Sequence, residues 1–191
     1  YGTIKMNLEQ ISDEKIALEV LWISSENVSK KITDTRERSW RRFVDRHYRK
    51  IEYTNSEKKL CLGYSPDTSS QAQPFALYIR NIFGDGIYYT NEESDKNYLL
   101  VINNGEVMEG TDAYLNNALF ERYRKQLQCE EYASLQWNCL TITHIDEVIE
   151  ANNLYKRKNK KKKITYLSVM LGAGVIFLLL FSFTLKMFLV N

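Results

Sequence analysis

The sequence predicts an α+β (or α/β) domain, built on a mixed β-sheet with two main helices, followed by a single transmembrane helix. Three observations predict it. Short apolar runs bounded by Gly, Pro, Asn and Ser recur between residues 15 and 143. Two longer segments space their apolar residues at helical intervals. The 22 residues of 164–185 are apolar except for Thr165, Ser168, Ser182 and Thr184. At ~1.5 Å rise per residue that last run makes roughly 33 Å of helix, against a hydrocarbon core of about 30 Å. Its hydroxyls can bond back to their own helix, and Lys186 lies near the far end, where its stem can snorkel.

Taken in order, residues 15–23, rich in Ile, Leu, Val and Trp, read as a strand buried on both faces, closed by the turn formers Ser24-Ser25-Glu26-Asn27. A helix follows. Thr33 or Asp34 caps it, Glu37 sits three residues after Asp34, and Trp40, Phe43, Val44 and His47 share one face. Residues 59–64 and 75–83 are strand candidates on either side of the irregular segment 65–74, which holds both prolines. Gly84-Asp85-Gly86 turns the chain into a strand at 87–90, and the polar stretch 91–96 reads as a loop. Residues 98–102 and 106–108 form a hairpin through Asn103-Asn104-Gly105, because Asn-Gly supplies the positive φ angles that a tight turn needs. Thr111-Asp112 is then expected to cap a second helix with Leu115, Leu119, Tyr123 and Leu127 on one face. A last strand at 137–143 and a short helix at 146–152 lead to the anchor.

Charge divides the chain. Residues 1–155 carry 18 basic and 24 acidic side chains, whereas 156–191 carry eight basic and no acidic ones. The predicted organisation is therefore an acidic domain over 1–155, a polybasic neck over 156–163 and a transmembrane helix over 164–186. Lys156, Arg157, Lys158, Lys160, Lys161, Lys162 and Lys163 are the topology determinant: positive residues flanking a span stay on the cytoplasmic side, which places the domain in the cytoplasm. They also hold the neck near anionic headgroups. Cys61, Cys129 and Cys139, odd in number and without a CxxC, fit a reducing compartment. With that topology the sequon Asn27-Val28-Ser29 reads as a chance match. The opening at Tyr1 and the close six residues after Leu185 leave two organisations open, a tail anchor with almost nothing outside or a single-pass chain that continues into an outer, periplasmic domain, and Tyr1 slightly favours the second.

No catalytic residue, cofactor or metal site is predicted. No Gly-rich phosphate loop follows a strand, and neither a nucleophile elbow nor a kinase signature is present. His47 reads as a packed or capping histidine. Cys139 and His144, with Cys129 upstream, lack the paired short spacings of a structural zinc site. The most pointed surface feature is the first helix, where Arg36, Arg38, Arg41, Arg42, Arg46, Arg49 and Lys50 outnumber Glu37 and Asp45. Phosphate, anionic lipid and an acidic protein partner compete for such a pole. Docking of a protein through Arg38, Arg41, Arg42, Arg46 and Arg49 is the favoured use, since guanidinium groups pair carboxylates in bidentate fashion. Nucleic acid is not an expected partner, because the domain is acidic overall and a strand is predicted directly before the basic helix.

The residues Phe75-Ala76-Leu77-Tyr78, Asn97-Tyr98-Leu99-Leu100-Val101-Ile102, Asn104-Gly105-Glu106-Val107 and Gly110-Thr111-Asp112 carry a resemblance to inner-membrane assembly proteins of type IVb pili, the bundle-forming-pilus and conjugative-pilus accessory components. The resemblance covers residues 75–115. Where many relatives have a tryptophan and a proline, this chain has Leu99 and Glu109. It implies a cytoplasmic fold similar to part of an actin-like domain without ATPase activity. It further implies a non-catalytic, bitopic scaffold of a pilus or secretion machine in the bacterial inner membrane, present in several copies within a hetero-oligomeric complex. Its partners would be the cytoplasmic assembly ATPase and the polytopic core protein. A tail-anchored signalling or viral membrane protein, or a membrane-tethered transcription regulator, is the alternative.

Overall fold

Lys15 and Glu19 adopt φ values of 54° and 55°, and the kink at Glu19 divides the strand expected over 15–23 into β1 (Ile16–Ala17) and β2 (Leu21–Ile23). This computed structural model describes residues 11, 13–66, 72–91, 96–128 and 131–189. After β2 the expected turn is instead the start of a five-residue helix, α1 (Ser25–Ser29), capped by the Ser24 hydroxyl, so a helical turn and not a bare strand precedes the basic helix. That helix, α2 (Thr35–His47), begins where expected: the Asp34 carboxylate accepts the Arg36 N–H at 2.8 Å. Next come β3 (Arg49–Thr54), β4 (Leu60–Ser65) and β5 (Gln73–Pro74). Residues 67–71 of the predicted irregular segment lie outside the described residues.

The strand expected over 75–83 is a helix, α3 (Phe75–Phe83). Phe75, Ala76, Leu77, Tyr78 and Ile79 are all buried, so the segment shows no polar face from which a period could be read. Its punctuation is helical: Pro74 precedes it, and Gly84, at φ 82°, ends it in a conformation that suits glycine. Then follow β6 (Gly86–Tyr89), β7 (Lys96–Asn103) and β8 (Glu106–Val107). The predicted hairpin joins β7 to β8, with Asn104 and Gly105 at φ 52° and 68°. Residues 92–95 of the expected loop fall outside the described residues.

Thr111-Asp112 does not cap a helix. Residues Ala113–Asn116 form β9, paired antiparallel with β7, and α4 (Asn117–Gln126) starts at Asn116, whose side chain accepts the Leu119 N–H at 2.8 Å. The helical spacing of Leu115 with Leu119 is thus a coincidence across a strand-to-helix junction. The last predicted strand is shorter, β10 (Trp137–Cys139), and the short helix expected at 146–152 is the opening of α5 (Ile142–Leu189), 48 residues long. The fold class is α+β, and α5 is long and apolar enough to cross a membrane, with none of its apolar window buried. The chain separates into two compact units, Tyr1–Asn152 and Asn153–Asn191.

Within the first unit β7 is central. A mixed sheet runs β10-β6-β7-β8, with β9 also bonded to β7. Successive residues of a strand face opposite sides. Tyr98, Leu100 and Ile102 accordingly join a core with Phe75 and Ile79 of α3 and Ile145 and Val148 of α5, while Leu99 and Val101 join a second core with Phe120 and Leu127. Cover on both faces is why this strand reads as an unbroken apolar run. A separate antiparallel sheet, β2-β4-β3, carries a small third core of Ile23, Val44, Leu62 and Tyr64 under α2.

Candidate functional site

Helix α2 rests on the β2-β4-β3 sheet by little more than one side chain. Val44 is its only buried residue, and the Tyr64 hydroxyl donates to Asp45 at 2.8 Å beside it. The apolar face expected to pack does not: Trp40 and Phe43 are 44% and 54% exposed. His47 is exposed as well, its ring 4.6 Å from that of Phe43, so of the packed and capping roles expected for it the packed one does not hold. Helical spacing shows which residues share a face. It does not show that anything covers that face.

The predicted docking arginines separate into two groups. Arg41 is half-buried: its guanidinium donates to the Asn27 carbonyl at 2.9 Å and to Glu37 at 3.1 Å, tying α1 to α2, and its buried Nε has no acceptor among the described residues. Arg49, on β3, donates to the Ala72 carbonyl. Both act as internal fasteners. Among the described residues Arg38 reaches only the exposed Thr33 carbonyl, at 3.0 Å. Arg36, Arg42 and Arg46 are exposed, and their guanidinium groups make no hydrogen bond or ion pair among the described residues. The basic pole is therefore real but smaller than the count of arginines suggests.

An acidic cleft of about 390 Å³ lies elsewhere on the domain, between α1, the β3–β4 turn and the β7–β8 hairpin. Glu26, Glu57, Glu106, Glu109 and Glu131 line it, with Lys59 its only cation among the described residues. Two of these carboxylates are committed to structure. Glu106 accepts the Ser25 N–H at 2.7 Å and the Asn55 amide at 3.1 Å, and Glu109 accepts the Ser24 N–H at 2.6 Å and the Asn27 amide at 2.8 Å. The donors around Glu109 hold its carboxyl below the usual range against the opposing effect of burial.

The Gly110-Thr111-Asp112 step is a polar buckle inside the domain. Asp112, at φ 61° and almost wholly buried, accepts the Val20 N–H at 3.2 Å, the Trp22 indole N–H at 2.9 Å and the Tyr98 hydroxyl at 2.5 Å. It thereby joins β2 to the central sheet. Burial pushes its carboxyl up to about 7, although these donors and the Glu19 backbone pull the other way. Sequence reasoning takes this group for a helix cap, and nothing in its local pattern marks it as buried.

No His, Cys, Asp or Glu grouping among the described residues is arranged to hold a metal. The His144 Nδ1 is engaged by the Thr141 N–H at 3.1 Å, and Cys129 lies outside the described residues. Burial pushes the Cys61 thiol up to about 11, away from the nucleophilic thiolate form, whereas Cys139 is exposed. The basic residues Lys156 to Lys163 all belong to α5, where the helix passes into its apolar portion, and the Thr165 hydroxyl donates back to the Lys161 carbonyl at 3.0 Å. No family model, curated protein or solved structure matches this chain.

Proposed function

We propose that this chain is a non-catalytic, single-pass scaffold of the bacterial inner membrane, working in a type IV pilus or a related secretion machine. The observation that carries the reading is α5, on which seven basic residues lead directly into an apolar stretch long enough to span a bilayer. The basic flank favours a cytoplasmic domain. The resemblance over residues 75–115 supports the pilus assignment. In this reading the mechanism is positional: the anchor fixes the domain at the membrane, and its exposed surfaces gather the cytoplasmic assembly ATPase and the polytopic core protein.

Arg38 and Arg42 are the arginines best suited to a protein partner, because neither fastens the domain internally and both are exposed. Affinity purification of the intact membrane complex tests the scaffold role: a hexameric ATPase and a polytopic core protein are expected to co-purify, and their absence under mild extraction overturns it. Arg38→Glu with Arg42→Glu is expected to weaken that co-purification. Orientation is read at Cys139, the exposed thiol among the described residues, which should label with an impermeant reagent only after the inner membrane is opened.

A further inference from the structure

The exposed aromatic face of α2 has a composition unlike that of an ordinary solvated helix. With 3.6 residues per turn, Arg36, Trp40, Phe43 and His47 form one stripe, and Arg46 borders it. All five are exposed. Both acidic residues of the helix are occupied on the domain side, Glu37 by Arg41 and Asp45 by the Tyr64 hydroxyl, so the arginines along the stripe are not neutralised by their own helix. Tryptophan, phenylalanine and arginine on one helical face are the residues that settle at the boundary between headgroups and acyl chains, the rings entering it and the guanidinium groups meeting phosphate.

Charge distribution decides between possible occupants. Residues 36–50 hold seven basic and two acidic side chains, and the remainder of 1–155 holds eleven basic against 22 acidic. An anionic bilayer repels that remainder and attracts only this pole, so one orientation is selected. The tether supplies the rest of the argument: a domain on the same chain as a membrane-spanning helix has a bilayer always within reach, and even a weak surface contact becomes effectively intramolecular. We infer that the Arg36-Trp40-Phe43-Arg46 face of α2 is a lipid-binding site that lays the domain on the anionic headgroups of the membrane anchoring it. Arg38 and Arg42, roughly a third to a half of a turn round the helix from the stripe, stay on the solvent side for a protein. The inference rests on the anchor and not on the pilus assignment.

The test uses the full chain reconstituted into bilayers without any machine subunit. Retention through an alkaline wash checks the anchor separately. Brominated lipids quench tryptophans at the interface, and comparison of the unmodified chain with Trp40→Phe isolates the Trp40 signal from Trp22 and Trp137. In phosphatidylglycerol-containing bilayers Trp40 is expected to be quenched, with at least ~threefold less quenching in pure phosphatidylcholine or at about 0.5 M salt. Arg36→Glu with Arg46→Glu should reproduce that loss while circular dichroism stays unchanged, as neither guanidinium has an internal partner to lose. Unquenched Trp40 in anionic bilayers overturns the site, and so does quenching that the charge reversals leave intact. If the same double variant instead loses co-purifying subunits and keeps its lipid contact, the face is a protein interface and the inference is wrong.

Discussion

Helix α3 buries five of its nine residues, whereas α2 buries one of its thirteen. Both carry aromatic residues at positions that the sequence alone marks as apolar. In α3 these residues fill the space between the central sheet and α5, with the Phe75 ring 5.8 Å from that of Tyr98. In α2 they stand on the outside. The difference separates residues kept for folding from residues available for contact, and the sharpest way to break it is to truncate one phenylalanine of each helix. Phe75→Ala is expected to cost about 3–5 kcal/mol, because its fully buried ring leaves a cavity that the sheet cannot close. Chemical denaturation of the full chain in detergent measures this; a loss below about 1 kcal/mol would mean that α3 is not the core helix described.

The sheet that carries α2 packs on the central core partly through Trp22, and two groups that hold this ring can be disturbed. Gly63 lies beneath the indole of Trp22, where an added Cβ would stand 2.6 Å from a ring carbon. Since Trp22 is held by Asp112, the ring cannot simply move away. Gly63→Ala is therefore expected to destabilise the domain by about 1–3 kcal/mol, the usual range for overpacking. A stability unchanged within error would show that the ring is free to shift, and that the two sheets are joined more loosely than the buckle suggests.

Asp112 itself gives the junction a pH dependence. Its carboxyl is raised from 3.8 to about 7 in the folded domain, so the folded state holds a proton that the unfolded state has released. The stability linked to this group is complete below its unfolded value and is lost as pH rises through about 7. Between pH 6 and pH 8 the loss is on the order of 1 kcal/mol, and carboxylates that are lowered by folding, such as Glu109, remain ionised across that window and add no slope of their own. Asp112→Asn should remove the slope, since an amide has no proton to release across this window. A slope that persists in Asp112→Asn would place its origin in another group.

Much of the fold is legible where local chemistry decides it. Asn104-Gly105 specifies its turn through φ values that only such residues adopt easily, Asp34 caps α2 with its own carboxylate, and the apolar length of α5 is read directly. Legibility fails where tertiary contact decides. Residues 75–79 offer no polar face because every side of the helix is covered early in its length, and β9 is a strand because β7 offers its edge, although Leu115 sits at helical spacing from Leu119. The candidate site divides in the same way. The arginine cluster is visible in the sequence, but the engagement of Arg41 and Arg49 by backbone carbonyls depends on where residues 27 and 72 come to lie.

The smallest expected effect is the most discriminating for α2. Phe43→Ala removes a ring that is more than half exposed and touches chiefly its own helical neighbour His47 and the adjacent Tyr48. Stability should change by no more than about 0.5 kcal/mol, within the range of surface substitutions. A side chain so nearly neutral to folding, yet aromatic and flanked by arginines, has its apolar area free for a contact outside the domain. If Phe43→Ala instead destabilises the domain by 2 kcal/mol or more, on the order of a core truncation, the ring is part of the fold, the contrast with Phe75 disappears, and the aromatic face of α2 loses its claim to be a binding surface.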